Sequence, residues 1–356
     1  MRIICLSTPV GPLGSGLGGG VELTLRTLVR GLSTLGHTVT VVAPVDSHVA
    51  PTTTIERVGG AFHVPSQTLD RATPPVVPDD SVLVNMWRRV TEMSRSGNFD
   101  IVLNFAYDAL PFVASRECAI PVAHLVSMGS LSDEMDRAVA TAVYRSSRCV
   151  AMHSHAQARS FGPEIAGRVT VVASGIDLSA YDYVEAPDTS LAFVARISRE
   201  KGVRDAFAVA TLTGRVVNAF GVMEDRSVWD DAAREFPNAT VEYRGFLTTD
   251  VLQRALGRSA ALIMVHHWVE AFGNVAIEAL ACGVPVITYD RGGPAEIVHH
   301  GRTGFVVPPD DVSAVAGAVD RLGTIQRRDC RSDVEDRYSE QAFAGRVAAW
   351  LAAVGR

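Results

Sequence analysis

The chain has 356 residues, 47% of them hydrophobic and 20% charged, with a net charge of −6. That length is too great for one ordinary domain and suits two of roughly 150–200 residues each. The acidic balance argues against a nucleic-acid surface, and the apolar runs, such as residues 260–265, are far shorter than the roughly 20 residues an integral membrane segment needs. Five scattered cysteines (Cys5, Cys118, Cys149, Cys282 and Cys330) never fall into a C-x-x-C spacing. An odd, unclustered set reads as a reduced, cytoplasmic protein.

The first apolar run, residues 3–6, reads as a β-strand; it is too short for the core of a signal peptide. Residues 21–35 carry a helical pattern, and Gly36 suits a C-terminal cap. Further strands are expected at 39–43, 101–104, 122–125, 149–152 and 169–172. Residues 46–97 are rich in Pro, Thr and Val, with weak periodicity, and give no assignment. Pro187-Asp-Thr-Ser190 reads as a linker. A second strand series then starts, at 191–195, 216–220, 241–243, 261–265, 286–288 and 304–307. Residues 340–354 form a helix with Phe343, Val347, Trp350 and Leu351 on its apolar face. Strand–helix alternation implies mostly parallel sheets with helices on both faces. The expected fold class is α/β, with two Rossmann-like doubly wound domains in tandem. The expected division is residues 1–184, with helix 339–356 packing back on them, and residues 185–338. Ligands of such sheets lie outside the carboxyl ends of the strands, here in a cleft between the two domains.

Glu270-Ala-Phe-Gly-Asn-Val-Ala-Ile-Glu278 directly follows the apolar strand at 261–265. A helix starting near Gly273 would offer its first amides to a phosphate. Two acids beside that anion make sense as acceptors for hydroxyls, since a carboxylate matches a vicinal diol. Alone, Glu278 reads more simply as a solvated surface residue. Arg196 and Lys201 stand at the end of the first strand of the second series and at the start of the next helix. There they could neutralise a departing diphosphate; alone, they are ordinary surface charge. No Asp-x-Asp occurs in the chain, which fits a site where cations and helix amides do the work of a metal. The histidine pairs His153/His155, His266/His267 and His299/His300 have no cysteine or carboxylate cluster beside them in sequence, so no metal site is assigned.

Gly14-Ser-Gly16-Leu-Gly-Gly19 formally matches G-x-G-x-x-G, but it stands several residues beyond the strand it should follow. His124 ends a strand and suits proton transfer near neutral pH. Phe105, Tyr107 and Phe112 could stack on a flat heteroaromatic ring or simply pack in a core.

The segment Glu270–Glu278 resembles the signature of family-4 retaining glycosyltransferases of the GT-B fold. The resemblance continues through Glu278-Ala-Leu-Ala-Cys-Gly-Val-Pro-Val286, Gly292-Gly-Pro-Ala-Glu296 and Gly301-Arg-Thr-Gly304, and so covers nearly the whole second half. It implies that Glu270 contacts the transferred sugar, that Glu278 holds the ribose, and that Arg196 and Lys201 bind the donor phosphates. Phe272, Gly273 and Asn274 fall inside the same donor-binding segment. The family's glycine pair near the donor matches Gly19 and Gly20, and its strand-end histidine matches His124. Ser174-Gly-Ile-Asp177 is similar to the family's Asn-Gly-Val-Asp turn. His266-His-Trp-Val-Glu270 departs from the family's Pro-Ser at this place, a departure expected to alter donor-sugar contacts. Residues 7–14, Asn104-Phe-Ala-Tyr-Asp108 and residues 124–131 of the first half, together with Trp268-Val-Glu-Ala-Phe-Gly273, resemble the UDP-glucose:tetrahydrobiopterin glucosyltransferases.

That likeness implies a UDP-glucose donor, no cofactor or metal, and a small pterin acceptor met by Phe105, Tyr107 and Asp108. Another sugar, a lipid or a natural product stays open as acceptor. So do an NAD-dependent oxidoreductase, resting on the glycine match alone, and a sugar-nucleotide epimerase. Nothing in the sequence fixes the oligomeric state.

Overall fold

The computed structural model describes residues 1–15, 19–49 and 53–355. It contains two compact units, Met1–Gly175 with Glu340–Arg356, and Ile176–Ser339.

Among the described residues the first unit is built on seven strands: β1 (Arg2–Leu6), β2 (Thr38–Pro44), β3 (Thr54–Val58), β4 (Ile101–Asn104), β5 (Val122–Leu125), β6 (Val150–Met152) and β7 (Thr170–Val171). They lie in the order β3-β2-β1-β4-β5-β6-β7, and every pairing is parallel. Side chains of a strand alternate between faces. Ile3 and Cys5 therefore enter the core beneath helices Gly20–Thr34 and Glu340–Val354, while Ile4 and Leu6 enter the one beneath helix Val82–Ser94. A strand covered on both sides has to be apolar throughout, which is why β1 reads as an unbroken run. Gly31 lets the two helices of the first face approach closely. A Cβ there would lie 2.7 Å from Ala344 Cβ and 2.9 Å from Glu340 Cγ. On the last helix, Phe343, Val347 and Leu351 are fully buried, each such burial contributing about 2 kcal/mol. Trp350 Nε1 also donates to the Arg148 carbonyl at 2.7 Å.

The second unit has six strands: β8 (Leu191–Val194), β9 (Val217–Phe220), β10 (Val241–Gly245), β11 (Ala261–Met264), β12 (Val286–Tyr289) and β13 (Gly304–Val307). Their order is β10-β9-β8-β11-β12-β13, again all parallel. In both sheets the order reverses beside the first strand, between β1 and β4 and between β8 and β11. Such switch points leave a crevice at the carboxyl ends of the strands.

The described part of residues 46–97 holds β3, a short 3-10 turn at Ser66–Thr68 and helix Val82–Ser94, none of which had a signal in the sequence. β3 is an edge strand carrying Thr, Glu and Arg, with no fully buried residue to set an alternation. The change of unit lies at Gly175/Ile176, inside the Ser174–Asp177 turn and before Pro187. Residues 176–184 are tied to the second unit. Ile176 N–H donates to the Tyr338 carbonyl, Asp182 N–H to Gln253 Oε1 and Val184 N–H to the Cys282 carbonyl. All five cysteines are unpaired. Among the described residues no helix is long and apolar enough to cross a membrane.

Candidate donor and acceptor sites

In the second unit, β11 runs into a loop and then into helix Asn274–Ala281. Gly273 caps that helix in the left-handed region, at φ +95°, where an L side chain is strained. The loop is backed by the Gly292-Gly293 pair. Gly293 N–H donates to the Glu270 carbonyl at 2.8 Å, and a Cβ on Gly293 would lie 2.5 Å from Phe272 Cα. The glycines of the second-half signature thus hold the backbone under Glu270. Phe272 itself is buried, with its ring edge-on to Tyr338 at 5.9 Å. It braces the loop from inside, and Asn274 opens the helix.

Three side chains meet above this backbone. Lys201 Nζ donates to Glu270 Oε2 at 2.8 Å, Trp268 Nε1 donates to the same oxygen at 3.2 Å, and the lysine nitrogen lies 4.2 Å from the centre of the Trp268 ring. Lys201 is placed by Gly202, where a Cβ would lie 1.8 Å from the Val265 carbonyl oxygen. Arg196 is half exposed and held by Glu224 and by Glu200, the latter at 3.2 Å. Glu278 stands one turn into the helix and is buried. Burial pushes its carboxyl up to about 7, because desolvation penalises the charged form.

His267 Nε2 lies 3.1 Å from Asp205 and its Nδ1 2.9 Å from Asp310. The fold thus supplies the carboxylates absent from the local sequence, and the three ligand atoms lie within 4.8 Å of one another. Arg291 is bidentate on Asp310, and the Tyr289 hydroxyl donates to Asp205 at 2.7 Å. Those partners already balance the group, which makes it a brace for the loop before Glu270. His266 serves the same loop through a 2.9 Å bond to the Arg291 carbonyl.

In the first unit, the carboxyl ends of β4 and β5 bring Asn104 and His124 together. Asn104 Nδ2 lies 3.1 Å from His124 Nδ1, and the imidazole stacks on Phe112 at 4.1 Å. Asn104 Oδ1 accepts from Ala106 N–H, so the amide presents its NH2 to the ring and the proton sits on Nε2. Burial pushes His124 down to about 3. It is therefore neutral at pH 7. The proton-transfer role expected from a free histidine does not fit that burial.

Asp108 heads helix Ala109–Val113 without capping it. Its Oδ1 instead meets His63 Nε2 at 3.0 Å, with both side chains buried. Burial pushes the Asp108 carboxyl up, and His63 partly offsets this. His63 Nδ1 is buried and has no hydrogen-bond partner. The Tyr107 hydroxyl donates to the Gly129 carbonyl at 2.7 Å. Phe105 is 1% exposed and packs in the core beside Leu103 and Leu125. Its ring has no face for a ligand, so the stacking role expected of it is lost to ordinary packing. Gly19 and Gly20 are exposed at the start of the first helix. Gly16, Leu17 and Gly18 of the G-x-G-x-x-G match lie outside the described residues.

Residues 18–180 match the family model described as Glycosyltransferase Family 4, and residues 185–342 match that of Glycosyl transferases group 1. The chain is 34% identical to a glycogen synthase of Mycobacterium tuberculosis over 170 residues, 45% of this chain and 40% of that protein. It is 30% identical to D-inositol 3-phosphate glycosyltransferase 2 of Catenulispora acidiphila over 235 residues, 56% and 52% of the two chains. The chain thus spans about half or less of these curated relatives. Among solved structures, Anabaena Alr3699/HepE in complex with UDP superposes with a TM-score of 0.74 at 17% identity, over 99% of this chain and 100% of that one. The same protein with UDP-glucose gives 0.70. These likenesses establish the fold as GT-B. Each half of the chain thus matches one glycosyltransferase family model.

Proposed function

We propose that the protein is a retaining, metal-independent hexosyltransferase that moves glucose from UDP-glucose to a small acceptor, a pterin such as tetrahydrobiopterin, in the reduced cytoplasm. The observation that carries the donor half is the Lys201–Glu270 pair, set at the head of a helix whose fifth residue is the buried Glu278. In this reading the ionised Glu278 accepts both ribose hydroxyls, and Lys201, Arg196 and the amides after Gly273 stabilise the leaving diphosphate. Glu270 orients the sugar. The bond from C1 to the phosphate oxygen breaks as C1 bonds the acceptor oxygen on the same face, and the acceptor proton passes to the departing phosphate. Five unpaired cysteines support the reduced compartment. On the acceptor side, the 7–14, 104–108 and 124–131 motifs support a pterin, and Asp108 with His63 offers the polar contact.

The test is incubation with UDP-glucose and other nucleotide sugars, with tetrahydrobiopterin and with simple sugars, in excess EDTA, read by mass spectrometry. The expected product is a glucosylated pterin plus UDP. Transfer only when a divalent ion is restored, or to sugars alone, would overturn the metal or the acceptor reading respectively.

A further inference from the structure

We infer that Trp268 is a positioning residue of the donor site, which keeps one oxygen of Glu270 free to read the transferred sugar. The inference rests on the donor reading above.

A carboxylate has two oxygens and about four acceptor sites. On Glu270, Oε2 takes both protein donors, Lys201 Nζ and Trp268 Nε1. Oε1 has no hydrogen-bond partner among the described residues. Lys201 makes no second hydrogen bond there either, so two of its three N–H groups are unspent. The indole does two jobs at once. Its N–H holds Oε2, and its π face lies 4.2 Å from the ammonium, an attraction of about 0.5–2 kcal/mol. Together these keep Lys201 to one side of the carboxylate. Without the indole, the ammonium is free to settle between both oxygens, which would consume Oε1. The paired acid and base are 21% and 15% exposed, so the set is partly shielded from water and open to a ligand. A cation with spare donors beside a carboxylate oxygen with spare lone pairs matches a phosphate next to a sugar hydroxyl. Other charges near this set are His266, below the loop, and Glu200 and Arg196 on the preceding turn. None of them bonds Oε1.

The sequence stands at odds with its family at this point, with His266-His-Trp in place of Pro-Ser. The structure gives that departure a physical purpose, because Trp268 supplies a donor to the first signature glutamate from two residues away.

Trp268→Phe keeps a ring under Lys201 and removes the N–H. Calorimetric titration of the full chain with UDP and with UDP-glucose separates the outcomes. A hydrogen bond to a charged group accounts for roughly a tenfold change in affinity. Trp268→Phe should therefore weaken UDP-glucose about tenfold and leave UDP, which lacks the transferred sugar, within about twofold. Glu270→Gln should show the same selectivity. The double variant should lose no more than the worse single one, because both changes act through one carboxylate. Equal weakening of UDP and UDP-glucose, no change in either, or additive losses would overturn the inference. Wild-type protein that binds neither ligand would instead remove the donor reading itself, and this inference with it.

Discussion

The two units present their polar groups in opposite ways. In the second, Lys201, Glu270 and Arg196 are 15%, 21% and 51% exposed at the side chain and carry charge into the open. In the first, His63 and Asp108 are 2% and 5% exposed, and His124 is 1% exposed and held neutral by its burial. Charged groups with partial access suit a ligand that brings its own charge, such as a nucleoside diphosphate. Buried, paired donors and acceptors suit an uncharged one, where shape and hydrogen bonds decide. On the proposed reading, the contrast gives the diphosphate to the second unit and a neutral acceptor to the first.

The largest way to break that contrast is in the backbone beneath the donor group. Gly293→Ala puts a methyl 2.5 Å from Phe272 Cα and from its carbonyl oxygen, backbone atoms that cannot step aside alone. The loop under Glu270 must shift, with a stability loss of about 1–3 kcal/mol. Calorimetric melting should show the loss, and UDP-glucose binding should fall more than tenfold. Unchanged melting and binding would mean the loop is not braced as described.

A smaller effect sharpens the first unit. Asp108→Asn removes the charge facing His63 and should raise the acceptor KM severalfold while UDP affinity stays unchanged. Steady-state kinetics with UDP-glucose and tetrahydrobiopterin would check this. A loss of UDP affinity instead would move Asp108 to the donor side.

These sites were unequally legible in the sequence. The second-half strands other than the edge strand β10 announce themselves because they are mostly buried, and the donor signature is a continuous stretch from Glu270 to Glu278. The reason for Gly292-Gly293 needed coordinates, since only there do the two residues meet Glu270 and Phe272. His63 was missed because it lies in the stretch from 46 to 97, where no periodicity points to structure, and its partner Asp108 heads a helix 45 residues further on. Phe105 misled in the opposite sense. An aromatic residue just past a strand end looks available, but it continues the strand's inward face, and its N–H still bonds the Leu6 carbonyl. Pro187 suggested a boundary because proline interrupts regular structure; the chain had already joined the second unit at Ile176.

The central claim is that Glu278 holds the ribose of a nucleotide, and its titration tests this directly. Burial raises the carboxyl from 4.5 to about 7. The folded state therefore favours the neutral acid, and its stability contribution is lost as pH rises through about 7. Ribose hydroxyls donate to the ionised form, so nucleotide binding must pull the proton off. UDP titrated calorimetrically into the wild-type protein should bind more tightly at pH 8 than at pH 6, with proton release at the lower pH. Glu278→Ala should bind at least tenfold more weakly and with no such dependence. Equal UDP affinity in the two proteins, at both pH values, would contradict the assignment.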